Sequence, residues 1–424
     1  MKIKTLVLTA LVAAAGSQFA SADQEINITG ATAFRRAVMD AIAATYAAGY
    51  NVASSNASNV DINAAGKVTF EGTYGTLPNK TTIRCSWNGS VEGVRALLHP
   101  GATYNASYIP SAGGSGVPQY SQAASTKYAA DFAFSDVTRA STPETGTLNP
   151  TDAGIGIVVF SLIANNSSTL TNITTNQFKD LFSQGYTRKF LLTGNNADTG
   201  RVFAVGRNDG SGTRTTYAAS TGLGVTSLLK QYQALASSGS TITQLQIVPE
   251  DGGSINGVLS PTSVSTIWLN TAVGNGGYNS GGDLIKDMVK TTASTTVLDE
   301  FGDNTGLGGA IDLVTFISSA DILGKNVVVL NYNGVKVTPL AGSTLFSVED
   351  QAKITQGLYE AWGTEQLYYR GTIGSDAGIY KTFYDGLVTN LKSPTYANLC
   401  GVSIDAMSVN RTPTDGGVIA PKTR

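Results

Sequence analysis

Arg207-Asn208-Asp209-Gly210-Ser211-Gly212-Thr213-Arg214 follows the β-like run Val202-Phe203-Ala204-Val205 and precedes a helix-like segment. A glycine-rich turn at a helix N-terminus is a ready anion site. Free backbone N–H groups point outward there, the helix dipole favours negative charge, and glycines let an oxyanion approach without a Cβ in the way. Ser211 and Thr213 add hydroxyl donors, and Arg207 adds a planar fork suited to two oxygens at once. In a chain with 48 glycines the same stretch also reads as a flexible surface turn, so other segments must decide between the two.

Two further segments repeat the pattern of strand, small-residue turn and helix, and another ends a strand-like run. Thr29-Gly30-Ala31-Thr32-Ala33 lies between the strand-like Glu25–Thr29 and the segment Phe34–Ala48, where Phe34, Val38, Ile42 and Tyr46 recur at helical spacing and form an apolar stripe. Asn88-Gly89-Ser90 follows the strand-like Thr81–Trp87 and opens the helix-like Val91–Leu98, which puts Ser90 at or near an N-cap. The alternating run from Asp131 to Val137 ends in Ser135-Asp136. Capping is the commonest use of both Ser90 and the Ser-Asp pair, and anion contact is the alternative.

The rest of the chain continues the alternation. Ile155–Ala164 is followed by Asn176–Ser183, and Leu245–Val248 precedes Asp283–Val289, an α/β order. The 424 residues exceed the ~250–300 at which one core stops growing, so two lobes are expected. Crossing strands near Ile157–Phe160 and Leu313–Ile317 would form the hinge. The expected division is a leader at 1–22, lobe one at 23–154, lobe two at 155–317, and 318–424 returning to lobe one with an extended C-terminal tail. Ser/Thr/Asn/Gly-rich stretches at Ala53–Asn59, Ser111–Ser125 and Gly274–Gly282 read as loops or insertions.

Lys2 and Lys4 ahead of the apolar run Leu6–Gly16, with Ala20-Ser21-Ala22 before Asp23, read as a secretory signal peptide. The expectation is a soluble periplasmic protein without a membrane span. Losing Lys2 and Lys4 takes the formal charge from −2 to about −4, which leaves no basic surface for nucleic acid. His99 is the only histidine, which excludes His-rich zinc sites; its place before Pro100-Gly101 fits a helix C-terminus better than a catalytic triad. No metal and no cofactor are expected. Cys85 and Cys400 suit one disulfide in an oxidising compartment, with two buried free thiols as the alternative.

Taken together, Thr29 to Phe34, Gly89-Ser90, Ser135-Asp136 and Arg207 to Thr213 resemble, in order and chemistry, the phosphate receptor of the ABC phosphate importer, within the type II periplasmic binding proteins. That family has an Arg-x-Asp-Gly-Ser-Gly-Thr motif, present in full at Arg207–Thr213. The resemblance implies a two-lobed α/β fold with the ligand cleft between lobes, and a monomer that binds inorganic phosphate and delivers it to an ABC permease. It also implies site roles. Thr32, Ala33, Phe34 and Ser90 donate from lobe one; Asp136 accepts the phosphate proton; Arg207, Ser211, Gly212 and Thr213 bind from lobe two. Gly89 supports the first turn, and Asp209 holds Arg207. A secreted structural or adhesive protein that keeps the fold, and a phosphatase-like hydrolase using Ser211 or Ser90, are the alternatives. The long segment 91–135 and the tail after Ala341 set the chain apart from the family pattern.

Overall fold

In the computed structural model of the chain, residues 23–56, 62–114, 118–150, 154–225, 227, 229–248, 276–371, 378–412 and 415–422 are described. The expected leader at 1–22 and parts of the three loop stretches lie outside them. The main sheet is built from β1 (Gln24–Gly30), β2 (Asn51–Ser54), β3 (Lys67–Thr73), β4 (Lys80–Ser86), β5 (Phe132–Ser135), β6 (Gly154–Ala164), β7 (Tyr186–Arg188), β8 (Arg201–Ala204), β9 (Ile311–Ser318) and β10 (Trp362–Tyr369). Their order across the sheet is β7-β8-β9-β6-β10-β5-β1-β4-β3-β2, with Val328–Val329 and Gly401–Val402 added on β6. The main helices are α1 (Arg35–Thr45), α2 (Ser90–Leu98), α3 (Thr175–Gln184), α4 (Gly212–Ser220), α5 (Gly281–Met288) and α6 (Ile379–Lys392).

The sheet has two halves that share β6. Residues Gly154–Val159 of β6 pair with β10, and Phe160–Ala164 pair with β9. In the first half β1 runs parallel to both β4 and β5. In the second, β8 runs parallel to β9. Helices cover these parallel strands, so Ile26, Ile28, Ile83, Phe132 and Phe134 are buried. The helix expected over Phe34–Ala48 is α1, ending where Tyr46 turns extended; Ala37, Val38, Ala41 and Ile42 form its buried stripe. Helix α3 starts at a capping box of Thr174 and Gln177 and stops at Gly185 in the left-handed region.

Two expectations need correction. Leu313–Ile317 is not a crossing strand: β9 lies wholly within the second half, between β8 and β6. The chain after Ile317 also stays there, since Val328–Val329 pairs with Ile163–Ala164 and Asn331–Tyr332 pairs with Asn172–Ile173. The return crossing is β10, which pairs with β5 on one side and β6 on the other. An apolar run satisfies any buried sheet position, and only long-range hydrogen bonding selects its neighbours.

The second correction concerns the cysteines, which are free. Cys85 lies in β4 between Ile28 and Val68, whereas Cys400 lies just before Gly401–Val402, near α1. Burial raises both thiols, Cys400 to about 12.

The excursion between α2 and β5 and the C-terminal tail both have defined places. Gln119 exchanges backbone hydrogen bonds with Val52 and Ser54, covering the outer edge of β2. The tail forms the hairpin Val409–Thr412 and Val418–Pro421. Asp415 accepts from the backbone N–H and hydroxyl of Thr138 at 2.6 and 2.8 Å, and Gly416 packs against Ala219 at the end of α4. The tail therefore touches both halves. Among the described residues no helix is long and apolar enough to cross a membrane.

Candidate functional site

The turns singled out in the sequence meet where the two halves face each other. Strands β1, β4 and β5 run parallel and end together, with Thr29 beside Ser86 and Gly30 beside Phe134. Two glycines make the approach feasible. Gly30 has φ +117, and a Cβ there would lie 2.0 Å from the Phe134 carbonyl oxygen. Gly89 has φ +113, and a Cβ there would lie 2.4 Å from the carbonyl oxygen of Gly210 in the opposite half.

Ser90 at the start of α2 and Asp136 just after β5 are buried together. The Ser90 hydroxyl donates a short hydrogen bond to Asp136 Oδ1, and the Asp136 backbone N–H returns one to Ser90 Oγ at 3.3 Å. From the second half, Thr213 in the first turn of α4 donates to Asp136 Oδ2 at 3.2 Å. Gly212 closes the contact: a Cβ on it would lie 1.6 Å from Asp136 Oδ1 and 2.4 Å from Ser90 Oγ. Burial raises the pKa of Asp136, opposed first by the Ser90 hydrogen bond and then by the charge of Arg207 and the bond from Thr213. Ser211 caps α4 by accepting from the Arg214 N–H, an arrangement that leaves its hydroxyl hydrogen to donate elsewhere.

Arg207 follows β8 and is almost fully buried. Its Nε donates to the Tyr278 carbonyl at 3.1 Å, Nη2 to the Asn279 carbonyl at 2.9 Å, and Nη1 reaches Thr32 Oγ1 at 3.5 Å. Burial lowers its pKa, while Asp321, Asp136 and Asp283 hold the charge in place. This corrects the expected role of Asp209. No hydrogen bond or ion pair joins Asp209 to Arg207 among the described residues; Asp209 instead feels the charges of Arg95 and Arg214. The turn brings Asp209 near Arg95 and Arg214 instead of Arg207, which residue spacing does not reveal.

Thr32, Ala33 and Phe34 form the turn into α1, and all three are buried. The Phe34 ring is core: a Cβ on Gly156 would lie 2.6 Å from its Cζ. Any anion contact from Phe34 is therefore through its backbone. Neither α1 nor α2 has a side-chain hydrogen bond capping its N-terminus, which keeps both ends receptive to negative charge.

Beside this cluster a cavity of about 920 Å³ opens between the halves, lined among others by Thr32, Arg35, Trp87, Ser280, Asp321 and Lys325. Arg35 Nη2 and Asp321 Oδ1 stand 3.7 Å apart in its lining. Sequence reading missed Asp321. Its signal was the small-residue stretch Ser318-Ser319-Ala320-Asp321 directly after an apolar strand, the same pattern as at the other turns. It also missed Gln231, whose amide donates to the carbonyls of Arg207 and Gly276 at 2.9 and 2.7 Å and ties the arginine turn to the segment before α5.

His99 is the exposed C-cap residue of α2, 3.1 Å from Glu144 Oε2. Among the described residues no group of His, Cys, Asp and Glu side chains could hold a metal ion.

No family model and no curated protein matches this chain. Solved structures with a similar chain path include a proposed phosphate ABC transporter substrate-binding protein from Clostridium perfringens with bound phosphate, at 12% identity and a TM-score of 0.44, covering 90% of this chain and 100% of that one. An ABC-type phosphate transport receptor from Vibrio cholerae is 15% identical, with a TM-score of 0.40 over 89% of this chain and 96% of its own. PstS from Borrelia burgdorferi is 11% identical, with a TM-score of 0.35 over 89% of this chain and 95% of its own. At this level the likeness carries no argument about what this chain binds, which rests on the side chains described above.

Proposed function

We propose that this chain binds monohydrogen phosphate between the two halves of its sheet, as an exported, monomeric receptor that hands the anion to an ABC permease. The observation that carries the reading is Asp136: a buried carboxylate at the meeting point of Ser90 and Thr213 from opposite halves, with an arginine and two helix N-termini close by. A carboxylate among donors is out of place next to an anion unless the anion brings a proton. Monohydrogen phosphate does so at neutral pH and sulfate does not. Asp136 then accepts the P–OH, and the Ser90 and Thr213 hydroxyls, which donate to Asp136 in this structure, turn to the remaining oxygens together with Ser211, Arg207 and the backbone of Thr32–Phe34 and Gly212. In this reading lobe one is the half ending in β5 and lobe two the half built on β8 and β9, with β6 and β10 as the hinge.

A second reading is favoured by the direct contact of Gly89 with Gly210 and of Gly212 with Asp136. Asp136 itself satisfies the Ser90 and Thr213 hydroxyls, which suits an exported structural or adhesive protein that has kept the fold. Calorimetry with phosphate and sulfate separates the two. Saturable phosphate binding at micromolar Kd, about −8 kcal/mol, with sulfate silent supports the receptor. Absence of heat and of any thermal shift at millimolar phosphate supports the structural protein.

A further inference from the structure

Glu365 lies on β10 opposite Gly156 of β6 and is fully buried. Neither of its carboxyl oxygens has a hydrogen-bond partner among the described residues. Its direction follows from its neighbours. Gly363, two residues earlier on the strand, faces the anion cluster: a Cβ there would lie 2.9 Å from the Asp136 carbonyl oxygen and 3.4 Å from Thr216 Oγ1 of α4. Strand alternation puts Glu365 on that same face. Gly156, paired directly across, faces the Phe34 ring at the entrance to α1. Glu365 therefore lies beneath the cleft, between Asp136 and the N-terminus of α1, which no side chain caps.

The two carboxyl groups have opposite surroundings. Asp136 accepts two hydroxyl hydrogen bonds and feels the charge of Arg207. Glu365 has no such support: burial raises its pKa far above the usual carboxylate range, and the charge of Asp136 raises it further. From the C-terminal segment it faces Cys400, itself a raised and neutral thiol. Burial raises both carboxyls, but only at Asp136 do hydrogen bonds and a cation oppose the shift, which makes Asp136 the acceptor of the pair and Glu365 the donor. A protonated carboxyl carries one O–H.

Resting on the phosphate-binding reading above, we propose that Glu365 is a specificity-determining residue of the same site: a neutral carboxylic acid whose O–H donates to an ionised phosphate oxygen while Asp136 receives the protonated one. The site then reads both states of the anion's oxygens with two carboxyl groups. Deprotonation of Glu365 removes a donor and adds a negative charge beside the anion, so binding weakens with alkaline pH.

Phosphate is titrated calorimetrically from pH 6 to pH 10 against wild type, Glu365→Gln and Glu365→Leu, with circular dichroism on each. The amide keeps a donor but has no proton to lose. Wild type and the Gln variant should agree within about threefold at pH 6 and diverge by tenfold or more toward pH 10, the Gln variant binding better. The titration of phosphate itself is common to both and cancels in their ratio. The Leu variant should bind at least tenfold more weakly at pH 6. Parallel pH profiles for wild type and Glu365→Gln overturn the role of Glu365 even if the Leu variant fails to fold, and leave the phosphate reading standing. No phosphate binding by wild type at any pH overturns both.

Discussion

The two ends of the cleft are closed in different ways. At the Asp136 end, Ser90 and Thr213 hydrogen-bond the carboxylate, and a Cβ on Gly212 would overlap it. At the Asp321 end, Arg35 and Asp321 face each other at 3.7 Å beside a cavity of about 920 Å³, and Asp321 Oδ2 has no hydrogen-bond partner among the described residues. The difference follows from the range of the forces. Hydroxyl hydrogen bonds from short side chains weaken steeply beyond ~3.5 Å, so they exist only when the halves touch. Opposite charges attract over longer distances, so Arg35 and Asp321 face each other at 3.7 Å without a hydrogen bond, nearly buried and at a desolvation cost. In the proposed reading, chemical discrimination belongs to the closed end, and tolerance of change to the open one.

Asp136→Asn should break this contrast most severely. Wild type is expected to prefer phosphate over sulfate by roughly a thousandfold or more, because sulfate would leave Asp136 with an uncompensated like charge. The amide offers sulfate a donor, so competitive titration should show most of that preference lost. Full preference in the Asn variant would reduce Asp136 to a turn cap.

Gly212→Ala acts on the same end by sterics. Its Cβ would meet Asp136 and Ser90 well inside contact distance, pushing the halves apart without changing any charge. Phosphate affinity should fall by about a hundredfold, close to three kcal/mol, with the folded circular dichroism spectrum kept. Unchanged affinity would place the anion elsewhere, with the cavity beside Arg35 as the next candidate.

Arg207→Lys tests the boundary between the ends. The ammonium keeps the charge but cannot hold the Tyr278 and Asn279 carbonyls and reach the anion together. A loss of about tenfold is expected, read from the same calorimetric titration.

The smallest effect belongs to the open end. Burial raises the pKa of Asp321 more than Arg35 and Arg207 lower it, so the folded protein holds its proton more tightly than the unfolded chain does. The stabilisation from that proton is complete below the ordinary carboxylate pKa and disappears as pH rises through the folded value. Asp321→Asn should therefore leave Tm at pH 4 unchanged and raise it by at most a few degrees at pH 8, with phosphate affinity within about threefold of wild type. A large drop in Tm at pH 8 would mean that the ion pair with Arg35 outweighs desolvation.

Much of the molecule was legible in the chain. The alternation of β1, α1, β4 and α2, and of β8 and α4, was readable because apolar periodicity and glycine-rich turns are local properties. Thr32, Ser90, Asp136, Arg207 and Thr213 could be picked out because each stands in a short turn at a strand end, where any parallel sheet gathers its loops. The parts that were not legible depend on long-range partners. The hinge strand β10 looks no more like a crossing strand than β9 does; hydrogen bonding to β5 and β6 alone makes it one. Asp209 and Arg207 are two residues apart yet have different partners, Arg207 the Tyr278 and Asn279 carbonyls and Asp209 the charges of Arg95 and Arg214. Cys85 and Cys400 are compatible in kind but sit in separate buried places.

By itself the sequence determined the element types and the glycine- and hydroxyl-rich turns at strand ends, since propensity and capping depend on near neighbours. Only the tertiary structure decided that Asp136 takes hydroxyls from both halves, that Arg207 is held by backbone carbonyls, and that Glu365 is buried without a partner. Those outcomes turn on distances of a few ångströms between segments far apart in the chain, and hydrogen bonding and desolvation both change sharply over that range.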